Sequence, residues 1–216
     1  MAYQRSNELQ LDSEYDIDIA SLASLYQHPD DYLWLNKQQL KHQATYALEF
    51  IADAVNHGLD PNDYHFDSLQ QLDPTLNESE ARLFDLVLSD GLLKLIRDIS
   101  VGRLDPDVVD PKWSIPRKSF NATVFLQQAL SRNDFKASLS SLIPASQQYL
   151  QLKAAAVRYQ NYVERGGWQN IPATPVLRSG DEHINISAIR DRLSFEDDSI
   201  NQVRPSKRHS YDKELE

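Results

Sequence analysis

LIPASQQYLQLKAAAVRYQNYVERGGWQNIP, residues Leu142 to Pro172, carries the longest clean helical signal in the chain. Pro144 marks the entry, and Ser146 is suited to cap the first turn because its hydroxyl can accept an otherwise orphaned backbone N–H. Tyr149, Leu152, Ala156, Tyr159 and Val163 recur at spacings of three or four, which places them on one helical face. Leu150, Ala154 and Val157 widen that face into a broad apolar stripe. Gly166 and Gly167 end it, since a residue without Cβ enters the left-handed conformation that closes a helix. Trp168 follows directly, placed to fold back on the helix it has left.

The remainder of the chain agrees with a helical class. Of 216 residues, 41% are hydrophobic and 25% charged, so a globular core is attainable. There are only 6 Gly, and β-branched runs are sparse. The formal net charge of −10 argues against nucleic acid, whose phosphates need a basic face, and against an anionic membrane surface. Cys is absent, which removes disulfides, thiolate metal sites and cysteine nucleophiles from these residues. No apolar run approaches the roughly 20 residues that span a bilayer, and the start, MAYQRSNELQLDSEYDIDIAS, has no apolar signal segment.

In chain order, residues 1–16 read as an extended polar lead-in, and Ile19–Tyr26 as a short apolar element broken at His28-Pro29. Tyr32, Trp34 and Leu35 form an aromatic knot ahead of a long helix expected from about Lys37 to Asn56, ended by Gly58. Asp60-Pro61 turns into a fresh helical start. A helix over Glu78–Leu88 is followed by Ser89-Asp90, read as the cap of another helix that carries Leu92, Leu93, Leu95, Ile96 and Ile99 and stops at Gly102. Three prolines and Trp113 make Asp105–Pro116 a packed loop, and two shorter helices, Val124–Leu130 and Phe135–Leu142, lead to the opening stretch. Beyond Pro172 an extended run turns at Arg178–Asp181 into a short helix over Ile186–Leu193. Ser194–Glu216 is polar, lacks a hydrophobic period and is expected to be mobile, because half a core cannot offset about 1–2 kcal/mol per ordered residue.

Reactive constellations are scarce. The glycine patterns of phosphate and dinucleotide loops are missing, as is His-Glu-x-x-His. His57 and His65 flank a turn and could meet, but a pair of surface histidines is ordinarily not a metal site. Asp105, Asp107 and Asp110 open like a calcium loop that then lacks its glycine and its closing glutamate, so they read as caps and turn formers. Ser210-x-x-Lys213 matches a serine–lysine pattern in letters only, with nothing to bury the lysine. Asp30-Asp31 and Asp197-Asp198 read as solvated pairs. Asn77, Asn121 and Asn185 begin Asn-x-Ser/Thr triplets, which matter only in a eukaryotic secreted protein. Trp34, Tyr64 and Trp113 could line a sugar groove, although tryptophans in such a domain are more often core, and Arg103 near Trp113 is the one cation–aromatic pairing of interest.

A family resemblance gathers these fragments. Pro144…Tyr149-Leu150-x-Leu152…Tyr159…Gly166-Gly167-Trp168…Ile171-Pro172 resembles the end of the helical scaffold domain in large Gram-negative L,D-transpeptidases of the YkuD type. Leu33-Trp34, Gly58-Leu59-Asp60-Pro61-x-x-Tyr64, Leu88-Ser89-Asp90, Gly102-Arg103-Leu104-x-Pro106 and Trp113 agree in the same order. Two departures are mild: the family usually has Thr where Ser89 stands and Pro where Gln169 stands. Leu177-x-x-Gly180-Asp181…Ile189-Arg190-x-Arg192-Leu193 and Tyr211-Asp212-x-x-Leu215 resemble the start of a peptidoglycan-binding-type helical module.

The resemblance implies a mainly α fold with long ordered loops. A lead-in over 1–16 would precede a scaffold domain over 17–176, and 177–216 would form a linker and the truncated start of the binding module. It implies the non-catalytic part of a periplasmic enzyme, exported and anchored in its full form, that makes 3→3 cross-links in peptidoglycan. The Ser-His-Gly-Cys motif whose cysteine carries the stem peptide as a thioester is absent, so no catalytic, cofactor-binding or metal residue carries over and this fragment is not expected to be an enzyme. The implied partners are peptidoglycan and the parent's own catalytic and binding domains, with no nucleic acid and no membrane contact by this fragment. The alternative is a self-contained peptidoglycan- or protein-binding module working through Trp34, Tyr64 and Trp113; an unrelated hydrolase using scattered His and Asp residues has no spacing to support it.

Overall fold

The core is built around one helix that the sequence divides in two. Glu78–Val101 is a single 24-residue helix, α4, about 36 Å long at 1.5 Å per residue. A computed structural model describes residues 15, 17–26, 28, 31–109, 112, 118–201 and 207–216. The described residues are mainly helical, with one two-stranded hairpin. Their order is α1 (Ile19–Leu25), β1 (Leu35–Asn36), β2 (Gln39–Leu40), α2 (His42–Ala52), α3 (Phe66–Gln71), α4, α5 (Pro106–Val109), α6 (Ala122–Ser131), α7 (Phe135–Ser140), α8 (Gln147–Glu164) and α9 (Ile186–Leu193). Short 3₁₀ segments stand at Asp53–His57, Pro61–Tyr64 and Asp198–Asn201.

Two expected boundaries are corrected. Ser89-Asp90 does not cap a new helix: both residues, with Gly91, lie inside α4 and are buried. Cap formers and buried hydrogen-bonding residues are the same amino acids, so their letters alone do not separate the two uses. Likewise the helix expected from Lys37 begins only at His42. Leu35–Leu40 forms a hairpin with register Leu35↔Leu40 and Asn36↔Gln39. Its two-residue loop holds Lys37 and Gln38 at φ 47° and 63°, the left-handed region that matches a tight hairpin to strand twist.

The caps are local and legible. Asn77 Oδ1 accepts from Glu80 N at the start of α4, Asn121 Oδ1 from Val124 N at α6, and Asp134 Oδ1 from Ala137 N at α7. All three Asn-x-Ser/Thr triplets are therefore helix starts, Asn77 and Asn121 capping with the side chain and Asn185 standing at the cap position of α9 without doing so. Gly58 (φ 75°) and Gly102 (φ 91°) end their helical segments as expected.

The chain divides into two compact units, one ending at Ala156 and the other beginning at Val157. In the first, α4 is buried on most of its circumference by Ala81, Phe84, Val87, Leu88, Leu92, Leu95 and Ile96. Ala44, Ala47 and Ile51 of α2, Leu22 and Leu25 of α1, and Leu126 and Ala129 of α6 close around it. At about 1.5–3 kcal/mol for each large apolar side chain taken from water, this burial dominates the fold. Tyr15 packs against the same core; otherwise the lead-in expected over 1–16 lies outside the described residues.

Helix α8 departs from the expected pattern. Ser146 Oγ accepts from Tyr149 N, as a cap should. No residue of α8 is fully buried, however, and Leu152 and Val163 of the expected inner face are 70% and 58% exposed. The half-buried residues are Tyr149, Lys153, Ala155, Tyr159 and Tyr162, and they do not share one face: Lys153 and Tyr162, nine positions apart, project to opposite sides of the helix. Of the expected apolar stripe only Tyr149 and Tyr159 are covered; Leu150, Leu152, Ala154, Ala156, Val157 and Val163 are exposed, so the periodicity located the helix and not a buried face.

The second unit is built on aromatics and one arginine. Gly166 (φ 103°) and Gly167 (φ 65°) reverse the chain, and Trp168 stacks on Tyr162 with ring centroids 4.3 Å apart. Phe195 meets Tyr159, Tyr162 and Trp168 edge-on, and the Arg192 guanidinium lies 3.9 Å from the Trp168 ring centre. Residues 207–216, expected to be mobile, fold back on 180–183 through Gly180 N–Tyr211 O, Tyr211 N–Asp181 O and His183 N–His209 O bonds. Arg190 is wholly buried beside Ile186 and donates to the carbonyls of Ile200 and Ser210 while pairing with Asp212 at 2.5 Å. A charged side chain supplies the closure that a hydrophobic period cannot reveal.

Candidate functional site

Two polar constructions lie along α4. The first is a buried seam. Asp85 accepts Leu33 N on Oδ1 (2.9 Å) and Trp34 N on Oδ2 (2.8 Å), so one carboxylate holds two successive amides of the strand entering β1. Tyr26 donates to Asp85 Oδ1 at 2.8 Å, and its hydroxyl lies 2.7 Å from Ser89 Oγ. Trp34 Nε1 donates to the same Ser89 oxygen at 2.7 Å. One turn on, Asp90 takes Asp18 N on Oδ1 (2.8 Å) and His65 Nε2 (2.7 Å) and Lys94 Nζ (3.0 Å) on Oδ2.

The two carboxylates titrate in opposite directions. Burial pushes Asp85 above the usual carboxylate range against the opposing bonds from Leu33, Trp34 and Tyr26. Burial also acts to raise Asp90, but the bonds from His65, the Asp18 amide and Lys94 outweigh it and hold the carboxyl low. Burial, followed by the Asp85 charge, drives the Tyr26 phenol well above its ordinary value. Asp85 and Asp90 are buried and, like the half-buried Tyr26, engaged by hydrogen bonds, and their chemistry is that of structural pins.

The second construction is an open cleft of about 700 Å³ where α4 ends. Lys94, Arg97, Arg103 and Lys118 line it with Asp63, Tyr64, Asp98 and Phe120. Arg103 pairs with Asp63, and Tyr64 donates to Asp98 Oδ2 at 3.0 Å. Burial and the neighbouring Asp98 raise the Tyr64 phenol far above its ordinary value.

A family model described as a scaffold domain matches residues 20–155, more than half of the chain. The chain belongs to the scaffold domain family. No curated protein and no solved structure matches it. The matched span takes in the whole of α4, the cleft and every member of the seam but Asp18, and it ends one residue before the first compact unit does.

Within the scaffold domain the residues weighed for chemistry are mostly put to structural use. Trp34 is 0% and Tyr64 1% exposed, so neither can face a glycan; Trp113 lies outside the described residues. Arg103 is engaged by Asp63. His57 and His65 do not share a site. His65 serves Asp90, whereas His57 Nδ1 lies 2.5 Å from Tyr149 Oη and its Nε2 3.0 Å from Asp53 Oδ2. Lys153 Nζ approaches the same His57 nitrogen at 3.2 Å. Burial, then the Lys153 charge, lowers the His57 pKa, and the imidazole ties the first half of α8 to the turn after α2.

Among the described residues no group of three or more His, Cys, Asp or Glu side chains is placed to hold a metal. Asp110 and Asp30 lie outside the described residues, as does the side chain of Asp107; Asp31 accepts from His28 N and Asp197 from Ser199 N. Ser210 is half-buried with its carbonyl taken by Arg190, and Lys213 is exposed. Asp85 escaped sequence reading and Arg190 entered it only as part of a motif, although a structural signal existed for each. Asp85 sits in an all-apolar helical run, and Arg190 falls four residues after Ile186 on the same face.

Proposed function

We propose that this chain is the non-catalytic scaffold region of a periplasmic, YkuD-type L,D-transpeptidase, a protein that makes 3→3 cross-links in peptidoglycan. The observation that carries the reading is the scaffold-domain match over residues 20–155, together with the L,D-transpeptidase-like motifs that run through and beyond it. Several of those motifs coincide with turning points of the backbone: Gly58, Gly102 and Gly166-Gly167 all hold positive φ. The scaffold's work is mechanical. Its pinned α4 keeps the fold rigid, and the glycine pair with Trp168 directs the chain onward after α8. Acyl transfer needs a cysteine thiolate, and that residue belongs to the parent's catalytic domain. Peptidoglycan and the parent's other domains are the proposed partners, and residues 177–216 are the proposed start of the binding module.

The alternative of a self-contained binding module through Trp34, Tyr64 and Trp113 loses two of its three aromatics to the core. Producing the full reading frame in a bacterial host and separating its digested sacculi by liquid chromatography tests the proposal. The expected result is a rise in 3→3 cross-linked muropeptides that vanishes when the frame is stopped at Glu216. A full reading frame that lacks Ser-His-Gly-Cys and yields no such products would refute it.

A further inference from the structure

The cleft at the end of α4 has a charge pattern that packing alone does not require. The chain carries −10 overall, yet four cationic side chains line this cleft against two carboxylates, Asp63 and Asp98. Two of the cations are committed: Lys94 to Asp90, and Arg103 to Asp63. The other two are not consumed in this way. Arg97 reaches Asp98 only through Nε, at 3.5 Å, and its side chain is 57% exposed. Asp98 already accepts from Tyr64. Lys118 is exposed and has no ion pair among the described residues. Cations do complement the carbonyl end of a helix, but that effect fades within the last turn and one or two charges suffice for it.

The dimensions also suit a ligand. A volume of about 700 Å³ lies in the range of sites that hold peptide- or sugar-sized molecules. A guanidinium presents a planar fork of donors that matches a carboxylate, and an ammonium adds a compact second charge.

We infer that this cleft binds a small carboxylate-bearing ligand, held by Arg97 and Lys118 with the Arg103–Asp63 pair at its edge. The inference does not depend on the murein reading, and either can fail without the other. Asp63 and Asp98 limit the occupant's charge, because a densely anionic polymer would meet them as well.

The test is a titration of the full ¹⁵N-labelled chain with glutarate, followed by amide chemical shifts, with inorganic phosphate in a parallel arm. Saturable shifts at Gly102, Arg103, Ser119 and Phe120 are expected with glutarate. Arg97→Gln combined with Lys118→Gln should weaken binding at least ten-fold, with an unchanged far-UV spectrum because both side chains are exposed. Arg132→Gln with Arg165→Gln removes the same charge elsewhere and should leave binding intact. No saturable shift, or equal weakening by the two double variants, would overturn the site. Tighter binding of phosphate than of glutarate would overturn the carboxylate assignment.

Discussion

Gly91→Ala separates the role of this glycine from the general behaviour of helices. Alanine in a helix interior is favoured over glycine by about 1 kcal/mol, so propensity alone makes the substitution stabilising. The packing reverses the sign. A Cβ built on Gly91 would lie 2.3 Å from the Tyr64 carbonyl oxygen and 3.0 Å from its carbon, and ordinary contact begins at 3.4 Å. The intruded atoms are backbone and cannot rotate away. Tyr64 is held by its bond to Asp98, and the adjacent His65 by Asp90, so moving this turn strains both. Overpacking of this kind costs about 1–3 kcal/mol, and loosening a buried hydrogen bond roughly 1 kcal/mol more. After the propensity gain, the net loss is about 2 kcal/mol, which corresponds to a fall in Tm of roughly 4–8 °C for a chain of this size. Thermal and urea unfolding followed by circular dichroism measure it. A variant as stable as the parent, or more so, would refute the close approach of Tyr64 to α4.

Two further outcomes are expected. The folded pKa of His57 is lowered, so between that value and the ordinary 6.5 the unfolded chain binds more protons than the folded one. Stability should therefore fall as pH drops below about 6.5 and level off once the folded pKa is passed; His57→Gln should flatten that part of a pH series of urea midpoints, and an unchanged slope would contradict the assignment. Arg190→Leu removes the bonds to Ile200 and Ser210 and leaves Asp212 unpaired, at a cost of about 3–5 kcal/mol to the second unit. Amide exchange should accelerate at Gly180, His183 and Tyr211 and not in α4, whereas full protection at those three amides would rule out the closure described.

Much of the helical class was legible because it is written in local chemistry. Ser146 caps the helix it precedes, and Gly58, Gly102 and Gly166-Gly167 end the segments they follow, whereas Asn77 and Asn121, read only as starts of Asn-x-Ser/Thr triplets, are helix caps in the structure. Trp168 folds back as its position after two glycines suggests. What could not be read depends on partners distant in sequence. Ser89-Asp90-Gly91 has the composition of a helix boundary, and only Trp34, Asp18, His65 and Tyr64 turn it into the centre of one. The hairpin at Leu35–Leu40 lacks the usual Asn-Gly loop, and its register rests on Lys37 and Gln38 accepting positive φ. The cleft was invisible because Arg97 and Lys118 stand 21 positions apart and read singly as surface charge.

The seam along α4 has a temporal consequence. Its bonds to the early chain join residues separated by 72, 63, 55 and 51 positions and pair Asp18, Tyr26 and Trp34 with Asp85, Ser89 or Asp90. Asp18, Tyr26, Leu33 and Trp34 thus have no partner for these amides, phenol and indole until the middle of α4 has been synthesised. At about 5–20 residues per second, a gap of that length leaves them waiting on the order of 3–14 s. For that interval the nascent chain presents Tyr26, Leu33 and Trp34 uncovered, a natural landing place for a chaperone and the step at which a slow α4 would be felt first.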